Sequence, residues 1–172
     1  MKTREGIPND TAWVSDAYRA HAPRVLRRAR SILGNDEDAR DAMQEIFTRL
    51  SERPDLFRGQ SAVTTFLYSV TTHHCLNALR NRNNRLRLVS LHAPDASVAS
   101  VAPAAPSADT VAAARQVLSR VEPELAEVAV YFFFDRMTYD EIADVMSCSR
   151  RHVANLLERF RESATQNEMK PA

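Results

Sequence analysis

The side chains best suited to recognising another molecule are cations clustered at the start of a helix. Residues 137–161 read MTYDEIADVMSCSRRHVANLLERFR. Val153, Leu156, Leu157 and Phe160 follow the i, i+3, i+4, i+7 spacing of a buried stripe. That burial turns Arg150, Arg151, His152, Ala154, Asn155 and Arg159 outward, and Ser149 is placed to cap the helix they stand on. Upstream, Thr138 and Glu141 make a capping-box pattern ahead of an apolar face of Ile142, Ala143, Val145 and Met146. Two short helices on the turn SCS, with base-reading side chains opening the second, have the layout of a DNA-binding helix-turn-helix. An arginine pair at a helix start opposes the helix dipole, so packing alone does not select it.

The other reactive residues do not assemble a catalytic centre. His73, His74 and Cys75 are consecutive, and helical neighbours point about 100° apart, so they do not converge on one ion. No HExxH, GxxxxGK or nucleophile elbow is present. The expectation is a protein that is not an enzyme, with no metal ion and no cofactor.

With only 3 glycines in 172 residues, and abundant Ala, Leu, Arg and Glu, the composition points to an all-α protein. No apolar run is long enough to span a bilayer, the start MKTREGIPNDT lacks a signal-peptide core, and Cys75 and Cys148 show no paired spacing. These features predict a cytoplasmic, reduced protein. A net charge of +1 hides alternating blocks. Arg19, Arg24, Arg27, Arg28 and Arg30 precede the acidic stretch Asp36, Glu37, Asp38, Asp41 and Glu45, and residues 80–87 (RNRNNRLR) are basic again. Residues 121–147 then hold seven acids against the single cation Arg136. Such blocks suit separate surfaces for separate partners.

Residues 89–110 (VSLHAPDASVASVAPAAPSADT) contain three prolines and almost no charge, which predicts an extended, flexible linker between small domains at 1–88 and 111–172. In the first domain, two helical pieces are expected, broken or kinked near Pro23 and stopped by Gly34, burying Trp13, Tyr18, Val25, Leu26, Ala29, Ile32 and Leu33. A second helix buries Ala39, Met43, Ile46, Phe47 and Leu50, exposes Asp41, Gln44, Glu45 and Arg49, and ends at Pro54. A third, from about Val63 to Arg85, turns Phe66, Leu67, Val70, Leu76 and Leu79 inward. The run YFFFD (131–135) cannot face one way on a helix and is expected to be mostly core, with an exposed remainder able to hold a partner.

Taken in order, these motifs resemble a known family. AYRAHAPRVLRRARSILGNDEDARDAMQEIFTRL resembles the opening of region 2 of extracytoplasmic-function sigma factors, the small members of the bacterial RNA polymerase sigma family. TTFLYSVTTHHCLNALRNRNNR looks like the promoter-melting part of that region, and LSRVEPELAEVAVYFFFDRMTYDEIADVMSCSRRHVANLLERFR is similar to region 4. The resemblance implies a subunit that binds core RNA polymerase and directs promoter-specific initiation. Asp41, Gln44 and Glu45 would dock on the β′ clamp helices, and region 4 would meet the β flap. A loop of Arg58, Gly59, Gln60 and Ser61, together with His73, would take a flipped base of the −10 element, while Arg80, Arg82 and Arg85 hold phosphates. Phe66 and Tyr68 stand at the family's aromatic positions. Ser149, Arg150, Arg151, His152, Asn155 and Arg159 would meet the −35 element. An anti-sigma factor, often membrane-bound in relatives, is the further partner implied.

The chain departs from the family pattern in two places. Where relatives carry Arg–Ile–Ala–Arg–Asn, residues 69–73 read SVTTH, so His73 replaces an asparagine that shapes the base pocket. A common Lys–Ser–Arg cluster in the recognition helix becomes Ala154, Asn155 and Leu156, which predicts an unusual −35 preference. Two rival readings remain from the residues alone. One is a helix-turn-helix regulator that does not bind polymerase, and the other is an anti-sigma factor or adaptor that only imitates a sigma factor.

Overall fold

The computed structural model describes residues 12–59, 61–92 and 106–168, and every regular element among them is helical. Packing divides the chain into two units, Met1–Cys75 and Leu76–Ala172. The expected domain boundary at residues 88/89 followed composition, whereas this division falls inside a helix.

In the first unit, α1 (Ala12–Leu33) is one helix that runs through Pro23, correcting the expected break. Pro23 is exposed, so water can serve the carbonyl its ring leaves without a donor, while buried Ala17 and Val25 anchor the helix on either side. Gly34 ends it at φ 87, a left-handed conformation that suits glycine, and donates its N–H to the Arg30 carbonyl at 2.9 Å. Asn35 then caps α2 (Asp36–Glu52), its side-chain oxygen accepting the Asp38 N–H at 2.8 Å, with Asp36, Glu37 and Asp38 at the positive end of the dipole. Ala39, Ala42, Ile46, Phe47 and Leu50 form the buried stripe of α2, which packs on α1. Tyr18 is half exposed instead of buried, and its ring meets Phe47 edge-on at 5.0 Å.

A short 3₁₀ turn (Pro54–Leu56) leads to α3 (Val63–His92). Leu67 joins the core, and Phe66 and Val70 pack partly buried against it, with the Phe66 ring 5.1 Å from Phe57. Phe66 is therefore a packing residue. The helix outlasts its expected end and covers residues 89–92, and α4 (Pro106–Arg120) covers residues 106–110, so both ends of the expected linker are helical. The prolines explain the limits: α3 stops two residues before Pro94, and Pro106 sits at the start of α4, where its missing N–H costs nothing. The middle of the expected linker, 93–105, lies outside the described residues.

The second unit continues with α5 (Pro123–Ala129), a π-helical turn (Val130–Phe134), α6 (Tyr139–Met146) and α7 (Arg150–Glu168). The capping box predicted at α6 is present: the Thr138 N–H donates to Glu141 Oε2 at 2.8 Å, and Thr138 Oγ1 accepts the Glu141 N–H at 3.3 Å. The Thr138 hydroxyl also donates to Glu141 Oε2 at 2.8 Å, and the two donors to the carboxylate, the backbone N–H foremost, hold the Glu141 carboxyl below its usual range. Ser147 adopts the left-handed conformation at φ 54, and the Cys148 N–H closes onto the Ala143 carbonyl at 2.9 Å. That reversal lets α6 and α7 pack on one another, while α5 also packs on α7. Val153, Leu156 and Leu157 are buried as expected. Of the YFFFD run, Tyr131 is buried and Phe132 half-buried, but Phe133 and Phe134 are exposed, so less of it is core than expected. The π turn adds a residue to the helical repeat and rotates the last two rings outward.

Leu157→Ala is expected to destabilise the second unit by about 2–5 kcal/mol, because it empties a fully enclosed site. Thr138→Ala is expected to cost about 1 kcal/mol through loss of the cap. Thermal unfolding of both variants against the parent chain checks the values.

Candidate functional site

The exposed face of α2 carries the first cluster. Asp41 lies one turn before the neighbours Gln44 and Glu45; all three face solvent, away from the Ile46 and Leu50 stripe, and with Thr48, Arg49 and His74 they line a shallow cleft between α2 and α3. His74 is a contributor that sequence reasoning missed. Its Nε2 lies 3.3 Å from Glu45 Oε2, with the imidazole largely covered and the carboxylate open to water. Burial pushes the His74 pKa down, against the pull of Glu45, and Arg49 and His73 push the same way as burial. The ring, favoured in its neutral form by burial, stands beside the Glu45 carboxylate. The signal available in the sequence was only a histidine on α3, with nothing to mark its nearness to α2.

The second cluster is dispersed. Arg58 and Gly59 are exposed in the loop before α3, where Gly59 takes φ 65, and Ser61 is exposed beside them. Gln60 lies outside the described residues. His73 is exposed on α3. His73, His74 and Cys75 point to three different surroundings, the last a buried thiol pushed up to about 12 by desolvation. Among the described residues no group of three His, Cys, Asp or Glu is placed to hold a metal ion.

Residues 71 and 72 of the unusual SVTTH run are fully buried, and each hydroxyl donates to a carbonyl one turn back. Arg28 uses this arrangement. Its Nε and Nη2 donate to Thr72 Oγ1 at 3.2 and 3.1 Å, and its guanidinium lies 4.2 Å above the Tyr68 ring. One face of Tyr68 is thus covered by a cation.

Farther along α3, Arg82 and Arg85 are exposed and about 60° apart around the helix, whereas Arg80 is about 140° from Arg85. Arg80 is half-buried and does different work from the phosphate contact expected of it. Its Nη2 donates to the Val121 carbonyl at 2.8 Å and its Nη1 to Asn77 Oδ1 at 3.2 Å.

The third cluster is α7. Ser149 acts as its cap, with Oγ accepting the His152 N–H at 3.2 Å. Arg150, Arg151, Asn155 and Arg159 are exposed and His152 half exposed, as the buried stripe requires. Three of these side chains already hold acids from neighbouring helices. His152 Nε2 meets Glu124 Oε1 at 3.0 Å, Arg159 Nη2 meets Glu122 Oε2 at 2.8 Å, and Arg150 Nη1 reaches Asp140 Oδ2 at 3.5 Å. Among the described residues Arg151 and Asn155 have no such partner. The acidic block was visible in the sequence, but the pairings join residues 28 and 37 positions apart, which no local pattern reveals.

The His74 environment makes a pH-dependent contribution. Above pH 6.5, the ordinary imidazole value, the ring is neutral in folded and unfolded chain alike and its contribution is whole. Below that, the unfolded chain takes up the proton first, so stability falls until the folded ring also titrates. His74→Gln is expected to flatten the loss of melting temperature between about pH 6.5 and 5, read by thermal scans across that range.

Comparison with known proteins shows what the chain is similar to. Residues 17–85, which run from α1 to the basic part of α3, match the Sigma-70 region 2 family. The chain is 24% identical over 180 residues to RNA polymerase sigma factor YlaC of Bacillus subtilis, covering 99% of this chain and 96% of that protein. It is 26% identical over 156 residues to RNA polymerase sigma-H factor of Pseudomonas aeruginosa, covering 81% of each. The solved sigma factor RpoE from Bartonella quintana, in complex with the anti-sigma factor NepR, matches with a TM-score of 0.48 at 14% identity, covering 91% of this chain and 98% of that one. The motifs that suggested the family and the similarity that runs nearly end to end agree: residues 17–85 match Sigma-70 region 2, and the chain as a whole is similar to RNA polymerase sigma factors.

Proposed function

We propose that this chain is an alternative sigma subunit of the extracytoplasmic-function kind. It binds core RNA polymerase, opens a promoter and directs initiation there, with no catalysis of its own. The observation that carries the reading is the presence, in one chain, of a Sigma-70 region 2 with an exposed polar face on α2 and, beyond it, a helix-turn-helix with a cationic opening. A regulator that only bound DNA would leave the first of these without a use.

In this reading the two ends divide the work. Asp41, Gln44 and Glu45 dock on the β′ clamp helices, with His74 beside Glu45. The loop of Arg58, Gly59, Gln60 and Ser61, with His73 beyond it, receives a base flipped from the −10 element, and Arg82 and Arg85 follow the strand's phosphates. The α7 helix enters the major groove at the −35 element, where Arg151 suits guanine and Asn155 suits adenine. Region 4 also meets the β flap. Each contact is modest alone, and tethering two sites on one chain raises the effective concentration of the second. The chain works in the cytoplasm, where the polymerase is, and an anti-sigma factor covering these faces is the partner that would restrain it.

Transcription by core polymerase on a promoter library tests the reading. Discrete transcripts are expected with the chain and none without it, and they are expected to vanish for the triple variant Asp41→Ala, Gln44→Ala, Glu45→Ala. Arg151→Ala is expected to lose about 1–3 kcal/mol at the −35 element and to relax the preference there. Normal transcription from the triple variant would remove α2 from the polymerase interface, and failure to transcribe any fragment would overturn the sigma reading.

A further inference from the structure

The α7 interface carries more acid than a DNA-facing surface needs. Glu122 and Glu124 open α5, where the helix dipole favours them, but that location does not require them to reach α7. They nevertheless take Arg159 at 2.8 Å and His152 at 3.0 Å, two side chains that stand two turns apart on one face of α7. Both pairs are about half exposed, so they add little to the stability of the fold. Their effect falls on the two side chains they hold. A side chain already facing a carboxylate gains less from a phosphate, and the carboxylate itself repels the DNA backbone nearby. Arg151 and Asn155, one helical turn apart, have no such acid among the described residues and remain available to base edges.

From this arrangement, and resting on the reading of α7 as the −35 helix, we infer that Glu122 and Glu124 are specificity-determining residues. They hold Arg159 and His152 back from sequence-independent phosphate contact, so that affinity depends on what Arg151 and Asn155 find in the groove. Phosphate contacts position a protein without reading sequence, and base contacts specify. Weakening the former widens the ratio between right and wrong sites, because specificity is a difference of affinities.

The test uses the full chain and two labelled duplexes, one of random sequence and one carrying a −35 element from a transcribed promoter, with anisotropy read across a NaCl series. Glu122→Gln and Glu124→Gln are expected to bind the random duplex more tightly and to narrow the ratio between the two. For Glu122→Gln, which releases Arg159, the slope of log affinity against log salt is expected to steepen by about 0.9. Adding Arg159→Ala to Glu122→Gln is expected to cancel that variant's gain. Glu37→Gln, which removes the same charge from α2, is expected to leave the slope alone. Unchanged or weaker binding of random DNA by both glutamine variants, with their folds intact by circular dichroism, overturns the inference while leaving α7 a DNA-binding helix. If the parent chain binds neither duplex at any salt concentration, the reading of α7 and this inference fall together.

Discussion

Each helix that carries a candidate surface in this chain is held by one buried stripe: Ile46, Phe47 and Leu50 for α2, and Val153, Leu156 and Leu157 for α7. A helix repeats every 3.6 residues, so a stripe at that spacing fixes which side chains face water. On α2 those are Asp41, Gln44 and Glu45; on α7 they are Arg151, Asn155 and their paired neighbours. Everything the surfaces can do depends on the core choosing the rotation of the helix. A change inside the stripe would therefore damage recognition without touching a recognising residue.

Polar contacts refine what burial sets. Asn35 and the Thr138–Glu141 capping box fix where α2 and α6 begin, and Ser149 fixes the start of α7, which brings Arg151 to the exposed N-terminal turn. A start shifted by one residue would move that side chain about 100° around the helix. Between α1 and α3, buried Thr72 lets Arg28 hold its guanidinium over Tyr68. The departure from the family pattern at SVTTH thus has a structural use as well as an implied effect on the base pocket.

Local pattern made much of this legible. The stripes of α2, α6 and α7, both predicted caps on the helix-turn-helix, the stop at Gly34 and the order of family motifs could all be read along the chain. Contacts between residues distant in sequence could not. Arg80 carries no mark of the Val121 carbonyl it binds, His74 none of Glu45, and the acids at the start of α5 none of the side chains they hold on α7. Proline misled the reading twice, at Pro23 and at the ends of residues 89–110. A single proline's cost depends on whether water or a helix start accommodates the missing donor, and that is decided by position in the fold. The exposed Phe133 and Phe134 follow from a π turn, which apolar periodicity at the α-helical repeat does not anticipate.

The claim on which the rest stands is that this chain joins core RNA polymerase. Its most direct measurement is an equilibrium titration of the fluorescently labelled full-length chain with purified core enzyme. A saturable one-to-one complex is predicted, weakened by the α2 substitutions and indifferent to those on α7. Absence of any complex, from a chain shown to be folded and free of inhibitor, would contradict the account and leave a DNA-binding protein that works without polymerase.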